Sequence, residues 1–284
     1  MRVSVIIPTC NRSVWVRRAI RSVTDQQGFE PEVIVVDDGS TDGTAAAVVA
    51  EFGDRITVLQ TPNRGVAAAR NAGVAVSGGE FVAFLDSDDL WLPGKLMAQV
   101  AFFVERPNAA ICQTQELWIR NGVRVNPCAH HCKPSGDIFL ASLGLCLVSP
   151  SAVMMHRRLF DSAGGFDPSL PACEDYDLWL RIARTTPIWL IDQPLVIKHG
   201  GHADQLSKRF WGMDRFRVAV LSKLLATGGL TETQYQAAAA TLCAKCALLA
   251  RGAQRRGRHA EAVRYRALAA VYGPRSPVTG AVAA

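Results

Sequence analysis

Three carboxylates stand together in Asp86-Ser87-Asp88-Asp89, directly after the apolar run Phe81-Val82-Ala83-Phe84-Leu85. Carboxylates one residue apart repel each other unless a cation joins them. An all-oxygen donor set suits a hard divalent metal, often shared with the phosphates of a substrate. A second acidic group, Asp37-Asp38, follows the strand-like Glu32-Val33-Ile34-Val35-Val36. A third, Glu174-Asp175-Tyr176-Asp177, opens a helical segment containing Leu178, Trp179, Leu180 and Ile182. Acidic groups in a first helical turn are stabilised by the helix dipole. Later, Lys198-His199-Gly200-Gly201-His202 places two histidines and two glycines in a flexible loop near a charged site.

The elements that must position these groups read as follows. Phe81–Leu85 has the length of a buried strand, bounded by Gly78-Gly79 and Pro93-Gly94. An unbroken apolar run favours a parallel strand covered on both faces. Before it come a strand ending at Pro8, a helix that Ser13 can cap, the strand 32–36, a helix 45–52, a strand 56–59 and a helix 66–76. This alternation predicts an α/β fold with a mostly parallel, doubly wound sheet flanked by helices. Open α/β sheets bind ligands at the carboxyl ends of their strands, so the acidic loops after strands share one edge.

Beyond the fourth strand, helices are expected at 93–104, 137–143, 157–163 and from 174, and strands at 109–119, 149–156 and 189–196. Residues 120–135 read as a long irregular connection. From Arg209 the composition turns to Ala, Leu and Arg, and three helices are expected at 209–225, 232–251 and 260–271. The domain division expected is 1–207, a helical extension 208–272 and a disordered tail 273–284.

The chain has 284 residues, 49% hydrophobic and 20% charged, which suits a folded globular protein. No signal peptide is expected before the first strand, and no apolar stretch nears the ~20 residues of a membrane span. The expectation is a cytoplasmic protein, with contact at the inner face of a membrane left open. Eight cysteines are then expected as free thiols. Cys128-Ala129-His130-His131-Cys132 lacks the spacing of common zinc sites, and Cys243-x-x-Cys246 reads as helix packing. The net charge is +6, with Arg251, Arg255, Arg256, Arg258, Arg264 and Arg266 crowded in one late segment. That segment could dock on an anionic membrane or a partner, a second subunit included. No nucleic-acid-binding module accompanies the charge, so nucleic acid is not an expected partner.

Pro8-Thr9-Cys10-Asn11 follows the first strand where a dinucleotide fold would carry Gly-x-Gly-x-x-Gly, and no Walker-type loop occurs. Phosphate charge must therefore be met by a metal and by basic side chains.

Five stretches in order resemble the family 2 glycosyltransferases with the GT-A fold, over roughly residues 3 to 207. They are Val5-Ile6-Ile7-Pro8-Thr9-Cys10-Asn11-Arg12, Val35-Val36-Asp37-Asp38-Gly39-Ser40-Thr41-Asp42, Asn63-Arg64-Gly65 with Ala69-Arg70-Asn71, Asp86-Ser87-Asp88-Asp89, and Gly164-Gly165-Phe166-Asp167 followed by Glu174-Asp175. The resemblance implies a GT-A core and inverting transfer of a sugar from a nucleoside-diphosphate donor to an acceptor hydroxyl, assisted by Mn²⁺ or Mg²⁺. It implies that Asp38 contacts the nucleotide base, with Pro8, Thr9, Asn11 and Arg12 around the donor and Arg70 flanking base and phosphates. Asp86 would approach the ribose or the metal, Asp88 would be the principal metal ligand, and Asp175 the general base, with Glu174 or Asp177 as alternatives. His202 would complete the metal site, His199 being the competing choice. Phe166, Asp167 and Glu174 would lie near the acceptor or the donor sugar. The implied acceptor is a saccharide, free or lipid-linked, of the cell-surface class. A sugar nucleotidyltransferase would need a triphosphate loop that Thr9-Cys10-Asn11 does not supply. A non-catalytic nucleotide-sugar binder would have no use for a base.

Overall fold

A computed structural model describes residues 1–126, 131–201 and 210–273. The chain divides into two compact units, Met1–Trp211 and Gly212–Ala284.

The first unit opens as the alternation demands. Strands β1 (Val3–Thr9), β2 (Glu32–Asp38), β3 (Thr57–Thr61) and β4 (Phe81–Phe84) alternate with helices α1 (Ser13–Thr24), α2 (Thr44–Phe52) and α3 (Val66–Val76). β1 and β4 are buried along their whole length, as continuous apolar strands between helical layers must be. The four strands pair in parallel in the order β3-β2-β1-β4. Helix α1 buries Val16, Ala19, Ile20 and Val23 against them. It starts at Ser13 itself, with Arg12 at the cap position and no side-chain cap bond, so Ser13 is not the cap. Helix α3 approaches closely because Gly73 has no side chain, and a Cβ there would lie 2.6 Å from Ile6 Cγ2.

After β4 the sheet becomes mixed. The chain adds β5 (Leu90–Trp91), α4 (Lys95–Glu105), β6 (Ile111–Arg120), β7 (Val123–Val125), α5 (Phe139–Ser142), β8 (Val153–His156), α6 (Arg157–Ser162), α7 (Glu174–Ala183) and β9 (Trp189–Gly200). The order is β3-β2-β1-β4-β8-β6-β9-β5, with β7 on β6. β8 runs antiparallel to both β4 and β6, while β9 runs parallel to β6. The connection expected to be irregular from 120 begins as a hairpin. Asn121 and Gly122 have φ of 49° and 78°, the left-handed pair that a tight turn between β6 and β7 needs. The strand expected over 149–156 forms only from Val153, because Pro150–Ala152 make a 3₁₀ turn.

The second unit holds α8 (Asp214–Thr227), α9 (Glu232–Arg255) and α10 (His259–Tyr272). Thr231 and Gln234 form a reciprocal capping box at the start of α9. Among the described residues, no helix is long and apolar enough to cross a membrane. The expected domain boundary at 207/208, the tail from 274 and His202 lie outside the described residues.

Candidate active site

β4 leaves the middle of the sheet, and the backbone turns where the Asp89 amide donates to Asp86 O at 2.9 Å. The turn gathers three carboxylates, with one oxygen from each of Asp86, Asp88 and Asp89 within 4.8 Å of the others. Each carboxylate has its own anchor. Arg12 Nη1 donates to Asp88 Oδ2 at 2.8 Å, and Arg70 Nη2 donates to Asp86 Oδ1 at 2.6 Å. Asp89 is buried, and accepts from Ser151 Oγ at 2.6 Å and from the His199 amide at 3.0 Å. Burial, then repulsion from Asp88 and Asp86, pushes the Asp89 carboxyl well above the usual carboxylate range, with Lys198 opposing. A divalent cation would relieve that repulsion, and the all-carboxylate donor set fits Mg²⁺ or Mn²⁺.

Arg70 joins this rim to a distant part of the chain. Its Nη1 donates to Glu174 Oε1 at 2.7 Å, and its guanidinium lies 5.0 Å from the Phe166 ring centre. Burial alone would lower the pKa of Arg70, but Asp86 and Glu174 raise it above the ordinary value. Glu174 stands at the first turn of α7, after Cys173 in the left-handed conformation (φ 64°). Burial and the neighbouring Asp175 raise the Glu174 carboxyl, and Arg70 opposes them. Asp175 is only half-buried, and its Oδ1 accepts from the Tyr176 amide at 2.7 Å. Asp177 is buried and accepts from Arg181 Nε at 2.8 Å, which ties it within its own helix.

The ends of β1 and β2 form the adjoining wall. Asp38 accepts from the backbone amides of Arg64 and Gly65, each at 2.8 Å. Asp38 therefore shapes the Asn63-Arg64-Gly65 loop, which packs so close that a Cβ on Gly39 would lie 2.8 Å from Asn63 N. Asn11 has φ of 52°, its amide donates to Ser40 Oγ at 2.7 Å, and its Oδ1 accepts from the Thr41 amide at 2.8 Å. Thr9 is buried as the register partner of Asp37, and Pro8 as that of Val36.

Pro8 to Arg12, Asp38 and Asp86 to Asp89 thus lie at the carboxyl ends of β1, β2 and β4, and Arg70 ties Asp86 to Glu174, but several of these residues first serve the protein itself. Asn11, Arg12, Asp38 and Arg70 brace loops or carboxylates. Phe166, expected at the border of the acceptor site, is buried among Phe84, Phe160 and Trp179 and reaches the site only as the ring beside Arg70. Asp167 accepts from Ser169 N at 2.9 Å and Ser169 Oγ at 2.7 Å in a local turn.

Sequence reasoning missed the segment Cys146–Ser151. Ser151 Oγ holds Asp89 and accepts from the Asp86 amide at 3.1 Å, while Ser149 Oγ accepts from Lys198 Nζ at 3.1 Å. Cys146 Sγ lies 3.6 Å from Asp175 Oδ2. The signal that could have exposed it is Pro150 between two serines, a poor interior for a strand.

The fold agrees with the comparisons. The model of the glycosyl transferase family 2 matches residues 4–163, and the chain belongs to that family. A putative teichuronic acid biosynthesis glycosyltransferase, TuaG of Bacillus subtilis, is 32% identical over 186 residues, which cover 64% of this chain and 72% of that protein. An uncharacterized glycosyltransferase of Rickettsia bellii is 32% identical over 217 residues, 73% of this chain but 31% of the relative. The chain thus spans about a third of the length of the Rickettsia relatives it matches first (31–35%). Among solved structures, S. aureus TarS in complex with UDP-GlcNAc superimposes with a TM-score of 0.70 at 24% identity, over 85% of this chain and 72% of that one. The mannosyltransferase PcManGT of Pyrobaculum calidifontis, with GDP-Man and Mn²⁺, gives 0.62 at 21% identity, over 95% and 84%. Both share the fold.

Proposed function

We propose that this chain is a metal-assisted, inverting glycosyltransferase that moves a sugar from a nucleoside diphosphate to an acceptor hydroxyl. The observation that carries this reading is the Arg70 bridge, which ties Asp86 of the acidic rim to Glu174, the neighbour of Asp175. Asp88, with Asp86, would hold Mn²⁺ or Mg²⁺, and such an ion, when bound, supplies positive charge for the departing diphosphate. Asp89, already engaged by Ser151 and His199, keeps the loop in shape. Pro8, Thr9, Asn11 and Asp38 form the wall for the nucleotide end. Asp175 takes the proton of the acceptor hydroxyl as that oxygen attacks the anomeric carbon. Attack from the face opposite the leaving group inverts the centre in one displacement, so no enzyme nucleophile is needed.

The substrates follow the relatives only as classes. UDP-GlcNAc and GDP-Man are the donors named with the two similar structures, and both are nucleoside-diphosphate sugars. The name of TuaG supports a cell-wall polysaccharide setting and a saccharide acceptor, free or lipid-linked. Arg251, Arg255, Arg256, Arg258, Arg264 and Arg266 are exposed on the helical unit beside exposed Leu248, Val263 and Val271. Exposed basic and apolar groups on the same helical unit suit the anionic inner face of a membrane. Failure to sediment with anionic vesicles at low salt would end that part of the reading.

The test is a thermal-shift series with UDP-GlcNAc and GDP-Man, each with and without Mn²⁺. A bound donor raises the melting temperature by linkage. The Mn²⁺-dependent part of the rise should vanish in Asp88→Asn. Absence of any rise with either donor and Mn²⁺ would count against the reading.

A further inference from the structure

Lys198 follows the apolar stretch Leu195-Val196-Ile197 of β9 and pairs in register with Trp118 of β6. A lysine here is costly unless anions surround it. The charges that act on it are those of Glu116 on β6, Asp86 and Asp89 on the acidic rim and Asp175 on α7, and the next residue along β9, His199, donates its amide to Asp89 at 3.0 Å. Burial works against the ammonium, but these four carboxylates outweigh it and raise its pKa above the ordinary lysine value. Lys133 is the competing cation, and it is taken up by Glu116 Oε1 at 3.1 Å and Thr114 O at 3.0 Å. Lys198 Nζ is fixed by its bond to Ser149 Oγ at 3.1 Å. Ser149 lies in the same short segment whose Ser151 holds Asp89 and whose Cys146 lies against Asp175. One stretch of backbone therefore references the rim, the lysine and the carboxylate on α7 to each other.

We propose that Lys198 is a positioning residue of the transfer site: a cation, anchored on Ser149, that holds Asp175 and the Asp86–Asp89 rim in one arrangement. The inference rests on the reading of Asp175 as base. Its electrostatic logic follows the charge. As the acceptor proton moves to Asp175, one negative charge disappears on that side, and one appears on the diphosphate leaving at the rim. A fixed ammonium attracted to both sides keeps the two groups from drifting apart under their own repulsion. It neither gives nor takes a proton, so it affects turnover more than donor affinity.

The experiment uses the full chain, Mn²⁺ and either UDP-GlcNAc or GDP-Man, with water as acceptor and release of the nucleoside diphosphate as readout. Lys198→Met should lower kcat by about tenfold to a hundredfold, the scale set by misplacement of a reacting group. The donor KM should change by less than about threefold, and Lys198→Arg should keep more of kcat than Lys198→Met. A wild-type kcat in Lys198→Met would overturn the proposal. A loss carried wholly by KM would also overturn it, by making Lys198 a donor ligand. If Lys198→Met does not fold, Ser149→Ala decides: a fall in kcat at unchanged melting temperature supports the proposal, and no change refutes it. Asp175→Asn separates this inference from its foundation. Where Asp175→Asn alone collapses turnover, adding Lys198→Met should cost much less than it does in the native background. Full turnover in Asp175→Asn would instead remove the base reading, and the proposal with it.

Discussion

Arg70 Nη1 donates to Glu174 Oε1 at 2.7 Å across 104 positions of sequence, while Nη2 of the same guanidinium reaches Asp86 at 2.6 Å. A planar, two-pronged cation does here what a lysine cannot, since each carboxylate meets its own N–H. Arg70→Lys should therefore keep the charge and lose the bridge. Donor-dependent turnover is expected to fall at least tenfold, with a lower melting temperature. Arg70→Met leaves two carboxylates without their cation and should cost about 3–5 kcal/mol of stability. Chemical denaturation of both variants checks this, and native stability in Arg70→Met would refute the role of the bridge.

Ser151 supports the rim without contributing a carboxylate. Its hydroxyl donates to Asp89 and accepts from the Asp86 amide. Ser151→Ala should weaken Mn²⁺ binding by roughly tenfold to a hundredfold, the usual cost of losing a group that orients a metal ligand. Titration of Mn²⁺ in the presence of UDP or GDP measures it. Unchanged affinity would show that the rim holds its shape without Ser151.

Stability should depend on pH through Lys95, which is far from this chemistry in kind. Lys95 is fully buried, its Nζ donates to Gln99 Oε1 at 2.6 Å and lies 3.8 Å from the Trp91 ring centre. Burial lowers its pKa from 10.5 to about 7, and among the described residues no carboxylate answers it. Between those values the unfolded chain binds the proton and the folded chain does not, so stability rises with pH across that window. Below about pH 7 both states are charged and the cost of burial is felt in full. Lys95→Met should thus stabilise the fold more at pH 6 than at pH 10, by about a few kcal/mol. A variant equal to or less stable than the native chain at pH 6 would contradict this.

The legible part of the site was local. An apolar run that stops in acid marks Asp86–Asp89 and Asp38, and acid in a first helical turn marks Glu174 and Asp175, because each pattern fits within a few residues. The illegible part is what those groups touch. Arg12 reaches Asp88 across 76 positions and the His199 amide reaches Asp89 across 110, and no short-range pattern reports such pairings. The same limit hid Lys198, whose partners come from four separate segments, and the loop setting of Phe166 gave no sign that its ring packs into the core. Ser149 and Ser151 read as strand because Val153 to Met155 are β-forming, yet Pro150 starts a 3₁₀ turn that turns both hydroxyls to use.

On the function proposed here, the acidic rim and Asp175 are two halves of one site, one for the donor and one for the acceptor proton. Release of nucleoside diphosphate by Asp175→Asn, measured at saturating donor and Mn²⁺, tests it most directly. Turnover should fall by about a hundredfold or more, with Mn²⁺-dependent donor binding kept within about threefold. Turnover equal to that of the native chain would contradict it.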